Sequence, residues 1–216
     1  MRLQTHTKPY IKAKIAGILA ETGRTFASIQ ANLKGINNPV IIISSATAKE
    51  GKSIFAAGLG IVASRNLKGK VLLIDNNWYA PSLHTFFDLK TNFNLTESMA
   101  NDNFHEQVIS TPYNNLELLP APIQREEGTT NDALQIIRYL RNDYDLTIVD
   151  SAAILSANRR MIDPISMAAE TDGLVLTVLA NQTPRQMVKK AQTMLEVSEA
   201  RILGLAINQY CNPMAT

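Results

Sequence analysis

A single cysteine, Cys211, and three scattered histidines leave this 216-residue chain with few soft or redox-active side chains. One cysteine cannot close a disulfide within the chain, so no disulfide framework is expected, and that usage fits a reducing compartment. His6, His84 and His105 are too far apart in sequence for the paired spacing of a structural zinc site. Charge of one sign is also scarce. The 21 Lys and Arg face 19 Asp and Glu, a net charge of +2, spread too evenly to make a nucleic-acid surface. No apolar run approaches the roughly 18–20 residues that span a bilayer. The opening stretch MRLQTHTKPY has no apolar core of a secretory signal. A cytoplasmic location is the expectation. Internal repeats and low-complexity linkers are lacking too, so residues 1–216 are expected to form one domain, with 1–35 as an N-terminal helical segment.

What is present is an alternation of short apolar runs and helical stretches. Ile11 to Leu33 reads as a helix, broken or bent near Gly23. Val40 to Ser44, Val71 to Asp75, Leu116 to Leu119, Leu146 to Asp150, Leu174 to Ala180 and Ile202 to Ile207 read as strands. Helices are expected over Ser53–Leu67, Asn131–Arg141 and Pro184–Ala200, with short ones near Leu83–Phe87 and Leu95–Ala100. This pattern predicts an α/β, three-layer fold, with a mostly parallel central sheet and helices on both faces.

In such sheets ligands sit beyond the carboxyl ends of the strands. Three features fall there: the stretch SSATAKEGKS (Ser44–Ser53), Asp75 ending VLLID, and Asp150 ending LTIVD. Gly51-Lys52-Ser53 ends like a phosphate-binding loop, although Ala46 stands where G-x-x-x-x-G-K-[ST] has its first glycine. Gly51 lets the backbone approach a phosphate, Lys52 can reach its charge, and the Ser53 hydroxyl can meet magnesium. Asp75 and Asp150 supply the oxygen ligands that this ion prefers. Taken singly, a Gly-Lys-Ser triplet is common, and an aspartate after a strand usually forms a turn or helix cap. It is the ordered set of strand, loop, helix and two acid-tipped strands that points to a nucleotide.

The same residues resemble the bacterial tyrosine kinases, cytoplasmic ATPase domains of capsule and exopolysaccharide assembly. These are relatives of the septum-site and chromosome-partition ATPases with a deviant Walker A motif, on a P-loop NTPase fold. SSATAKEGKS resembles their SATPGEGKS-type loop, and VLLIDNNWYAPSLHTFF resembles VLLIDxDxRxPxLHxxF. LTIVDSAA resembles the Walker B strand, NLELLPA a strand ending in Pro-Ala-Gly, and ETDGLVLTVLANQTPRQMVKKAQTML the strand and helix that follow Walker B. ILGLAIN resembles the closing strand. The resemblance implies ATP or ADP held by Lys49, Glu50, Gly51, Lys52, Ser53 and Ile54, with Asn208 at the adenine. It implies magnesium at Ser53, Asp75 and Asp150, and catalytic roles for Lys52 and Asp75. The implied partner is the cytoplasmic segment of a membrane polysaccharide chain-length (co-polymerase) protein, which would bring the chain to the inner membrane peripherally.

The departures matter as much. The Pro-Gly of the loop is Ala48-Lys49, which places a Cβ where the backbone bends. Lys49 either adds positive charge or points to solvent. The second acid of the deviant motif is Asn77, the usual arginine is Tyr79, and Thr-Pro-Pro after Walker B is Ser151-Ala152-Ala153. Arg159 and Arg160 fall in a longer spacing before Asp163. The ring-forming Glu-x-x-Arg-x-x-Arg falls on Arg24, Ala27 and Gln30; a second frame takes Glu21, Arg24 and Ala27. Either way the ring contact is lost, and a homo-oligomer of another kind stays open. No tyrosine cluster closes the chain; Tyr210 stands alone. Two readings follow, an ATP-dependent tyrosine autokinase with weakened catalysis and a pseudokinase interaction module. A partition-type ATPase is disfavoured, since Thr47 replaces the signature lysine of KGGxGK.

Overall fold

The computed structural model describes residues 9–123, 128–156 and 162–209, with the side chains of the first helix at Leu19 and from Thr22 onward. The elements run α1 (Pro9–Asn32), β1 (Val40–Ser45), α2 (Lys52–Asn66), β2 (Val71–Asp75), α3 (Leu83–Phe86), α4 (Leu95–Asn101), α5 (Phe104–Gln107), β3 (Ile109–Ser110), β4 (Leu116–Leu119), α6 (Thr130–Leu140), β5 (Leu146–Ala153), α7 (Pro164–Ala169), β6 (Gly173–Leu179), α8 (Arg185–Val197) and β7 (Ile202–Asn208). The strands form one seven-stranded sheet in the order β3-β4-β2-β5-β1-β6-β7. Every pairing is parallel except β3 with β4.

The apolar runs explain this order. Every residue of β1, β2 and β5 is buried, as strands in the middle of a helix-covered parallel sheet must be. Alternate side chains enter two cores. Ile41, Ile43, Leu73 and Ile148 meet Phe26, Ile29 and Leu33 of α1 and the Ala-rich face of α2. Ile42, Leu72, Val149 and Leu176 meet α6, α7 and α8 through Leu134, Ile137, Met167, Ala191 and Leu195. At Gly60 of α2 an added Cβ would lie 3.0–3.1 Å from the Leu73 side chain of β2. Gly60→Val is therefore expected to destabilise the fold by about 1–3 kcal/mol, read as a lower urea midpoint. An unchanged midpoint would mean that helix and strand are not in tight contact there.

The structure departs from the sequence expectations in several places. α1 runs through Gly23 without a break. One helical glycine costs only about 1 kcal/mol, and the packing of Phe26, Ile29 and Leu33 outweighs it. β5 continues three residues past Asp150 to Ala153, so this acid lies within the strand and not at its tip. Its extension is laced to the end of β1, with Ile154 N–H donating to the Ser45 carbonyl at 2.8 Å and Leu155 N–H to that of Ala46 at 3.0 Å. α8 starts after Pro184 and ends at Val197, earlier than expected. α5, α7 and the antiparallel β3 were not expected. Arg159, Arg160, Tyr210 and Cys211 lie outside the described residues.

Candidate functional site

The turn from Ala46 to Ser53 sits at the carboxyl end of β1, between β5 and β6. Its entry is pinned to both neighbours. The Ser44 hydroxyl donates to the Ala152 carbonyl at 2.6 Å, and the Thr177 hydroxyl donates to the Ser44 carbonyl at 3.1 Å. Ala46, at the missing first glycine, is fully buried and does not have a positive φ. A methyl group is therefore accommodated there without backbone strain.

The missing glycine that matters is at 49. Lys49 has φ +67° and Gly51 φ +90°, so two left-handed residues flank Glu50. The left-handed conformation costs a side-chain-bearing residue about 1–2 kcal/mol. It persists only where the surroundings dictate it. Such alternation gathers backbone N–H groups into a concave anion site. Among the described residues, no protein acceptor takes the amide hydrogens of Ala48, Lys49, Glu50, Gly51, Lys52 or Ser53. Gly51 caps α2 without any side-chain cap. The turn therefore ends on bare amides at the positive pole of a fifteen-residue helix. Thr47 is the exception, because its N–H is already taken by Glu50 Oε2 at 3.1 Å.

Next to this turn lie two acids on adjacent strands. Asp75 and Asp150 are register partners in the β2–β5 ladder, and both are fully buried. One oxygen of Asp75, Oδ2, accepts from Ser82 N–H and Leu83 N–H, each at 2.9 Å, and so fixes the start of α3. Among the described residues, neither Asp150 oxygen makes a well-formed hydrogen bond. Burial, and then the Asp75 charge beside it, push the Asp150 carboxyl up to about 8; the Ser53 hydroxyl and Lys52 act against that. Burial holds the Lys52 ammonium below its ordinary value, opposed by Asp150 and Glu50. A buried carboxylate pair with one nearby ammonium is short of positive charge, which a bound proton or a cation would supply.

The structure brings Gly51, Lys52, Ser53, Asp75 and Asp150 together as the sequence led us to expect. It uses other expected residues differently. Lys49 is exposed. Ile54 is buried, and the Glu50 carboxylate is turned into the protein. Asn208 ends β7 beside Gly51, with its Nδ2 donating to the Glu50 carbonyl at 3.2 Å. Asn77 is drawn into a surface turn, its Nδ2 donating to the Ala80 carbonyl at 3.1 Å. Thr47 was noted in the sequence only as the replacement of a signature lysine, and Thr183 was not singled out, yet both hydroxyls bond Glu50. Among the described residues, no group of three or more His, Cys, Asp and Glu could hold a metal, so any cation here rests on two carboxylates and a hydroxyl.

No protein-family profile matches the chain. Similar structures include the kinase domain of Escherichia coli tyrosine kinase ETK (TM-score 0.76, 20% identity, 88% of this chain and 74% of that one). The chimerical protein CapA2B2 is alike at TM-score 0.74 and 21% identity (88% and 84%). The septum site-determining protein MinD of Pyrococcus horikoshii, complexed with Mg-ADP, gives TM-score 0.67 and 21% identity (80% and 71%). The chain thus shares the fold of these three structures. Among sequence relatives, the tyrosine-protein kinase YwqD of Bacillus subtilis is 29% identical over 192 residues, 87% of this chain and 77% of the relative. CapB of Staphylococcus aureus, a putative tyrosine-protein kinase, is 26% identical over 214 residues (96% and 89%). The succinoglycan biosynthesis transport protein ExoP of Rhizobium meliloti is 26% identical over 185 residues, 82% of this chain but 23% of ExoP. The chain is thus similar in sequence to bacterial tyrosine-protein kinases along most of its length.

Proposed function

We propose that this chain binds ATP or ADP with magnesium and serves as a kinase-type module of polysaccharide assembly. One observation carries the reading: bare amides from Ala48 to Ser53 adjoin a fully buried, register-paired couple of carboxylates. The amides and Lys52 would hold phosphate oxygens, and Ser53, Asp75 and Asp150 would hold the cation directly or through water. Magnesium, when bound, would offset phosphate charge. Lys52 stabilises negative charge where the phosphoryl group leaves, and Asp75 is the acid positioned to take an acceptor's proton. Asn208 braces the turn beside the nucleotide.

A pseudokinase is the second reading, and Asn77 favours it. At the position of the second acid stands a carboxamide held by Ala80, which neither carries charge nor takes a proton near neutral pH. Purified protein incubated with magnesium and labelled ATP, alone and with the cytoplasmic segment of a membrane polysaccharide co-polymerase, separates the two. Phosphotyrosine or steady phosphate release supports the kinase. Binding with neither supports the pseudokinase, and no binding at all overturns both. Asn77→Asp is expected to raise phosphate release about tenfold; a variant no faster than wild type would remove Asn77 as the cause of weak turnover.

A membrane co-polymerase partner is supported by the kinship with ExoP, a transport protein by name, of which the chain matches only a part. In this reading the partner would bring the chain to the inner membrane; among the described residues, no helix is long and apolar enough to cross a membrane. The ring-forming positions Arg24, Ala27 and Gln30 form an exposed stripe on α1 without an acid among them. A ring held by that stripe is not part of the proposal.

A further inference from the structure

We propose that Glu50 is a positioning residue whose carboxylate clamps the phosphate turn to the β6–α8 connection through Thr183, and that this clamp imposes the turn shape a glycine at 49 would otherwise adopt unaided. The inference rests on the nucleotide-site reading above and adds a role for the Glu50 and Thr183 side chains, which that reading leaves without one.

Glu50 is 1% exposed, although it stands in a turn whose neighbours Ala48 and Lys49 are open to solvent. Its Oε2 accepts from Thr47 N–H at 3.1 Å, and its Oε1 accepts from the Thr47 hydroxyl at 3.0 Å and from the Thr183 hydroxyl. Thr183 is itself held: its Oγ1 accepts from Leu179 N–H at 3.2 Å, and its own N–H donates to the Leu179 carbonyl at 3.0 Å. The backbone of Glu50 is fixed as well, through Asn208 Nδ2 on its carbonyl at 3.2 Å. Asn208 is in turn tied to β6, its carbonyl accepting from Ala180 N–H at 2.8 Å. Glu50 is thus gripped at side chain and main chain by the β6 and β7 side of the sheet. Between Ala48 and Gly51, among the described residues, it is the one whose side chain bonds another element.

The chemistry explains why a carboxylate serves. Three donors converge on two oxygens, and an ionised carboxylate accepts them all without offering a hydrogen back. The restraint acts on the residues either side, Lys49 at φ +67° and Gly51 at φ +90°. Lysine does not favour that region, so an external tie must select it. Without the tie the turn relaxes, and its amides lose the shared focus that binds an anion.

The test uses Thr183→Val, Thr183→Ser and Glu50→Ala in the full chain. Two readouts are taken: Mg-ADP affinity by calorimetry, and tryptic cleavage after Lys49 in nucleotide-free protein. Thr183→Val is expected to weaken Mg-ADP about tenfold, the worth of one hydrogen bond to a charged group. It should also speed cleavage at Lys49. Thr183→Ser, which keeps the hydroxyl, should behave as wild type. Glu50→Ala should exceed Thr183→Val in both readouts, and if it fails to fold, Thr183→Val decides. Lys49→Gly supplies the signature that a merely stabilising contact would not give. In that background Thr183→Val should change the affinity less than about twofold, a non-additivity that marks coupled residues. Wild-type affinity and cleavage in Thr183→Val overturn the clamp, and so does full additivity with Lys49→Gly. If the wild type does not bind Mg-ADP, the nucleotide reading has failed, while the cleavage readout still decides whether Glu50 and Thr183 shape the turn.

Discussion

Lys52→Met is expected to weaken Mg-ADP binding about a hundredfold, the loss of a charged donor engaging more than one phosphate oxygen. Three features set that size. Lys52 is the first residue of α2, so its amide and its ammonium are both available to one anion. It is 7% exposed, where screening by water and salt is weak. And it is a cation close enough to favour the charged form of Asp150. Methionine keeps the length and apolar stem of the side chain and removes only the charge, so the fold is retained. The unfolding temperature falls a few degrees at most, because Asp150 escapes the loss by holding a proton. Calorimetric titration of both proteins with Mg-ADP checks this. Equal affinities would show that the ammonium does not meet the nucleotide and would remove this turn as the nucleotide site.

The legible part of this molecule was the part written in local pattern. VIIISS, VLLID and LTIVD are buried throughout, and each is a strand of the central sheet. Runs of that kind have few alternatives once helices cover both faces. Gly51-Lys52-Ser53 was readable because the proposed chemistry lies in the residue types: a glycine with φ +90°, a lysine and a hydroxyl at a helix start. Among the elements below two turns, α3 and α4 were expected, whereas α5, α7 and β3 were not. α5, with four residues, and β3, with two, are too short for either period to show. Their existence depends on neighbours, as β3 depends on pairing with Glu117 and Leu118.

What no local reading could supply was proximity. Thr183 and Glu50 are 133 residues apart in sequence and meet because β6 lies beside β1. Asp75 and Asp150 could each be named from a strand ending. That they stand in register follows only once β2 is known to pair with β5. The sequence offered two missing glycines and set the backbone cost at Ala48-Lys49, where the structure has it. Ala46 does not need a positive φ, whereas Lys49 has one.

Asp150→Asn is expected to make the nucleotide-free protein more stable than wild type near pH 8, while removing its response to magnesium. The ordinary value of this carboxyl is 3.8, and in the fold it is pushed up to about 8, first by burial and then by the Asp75 charge. Between those two values the folded chain keeps a proton that the unfolded chain has released. The stability tied to that proton is whole below the lower value. It shrinks as pH rises, by at most about 1.4 kcal/mol per pH unit for a single group, until pH passes the folded value. Asparagine fills the same space with no proton to lose, so the variant's unfolding midpoint should vary less between pH 5 and pH 8. The two proteins should converge at the acidic end and separate towards pH 8. Magnesium with ADP should reverse the order there. Wild type would gain from a cation between Asp75 and Asp150, whereas the variant, with one carboxylate and an amide, would gain much less. Thermal unfolding across that range, with and without Mg-ADP, reads both effects. A wild type whose midpoint is flat with pH would mean that Asp150 is already ionised and paired in the apo fold, and that the buried carboxylates do not wait for a metal.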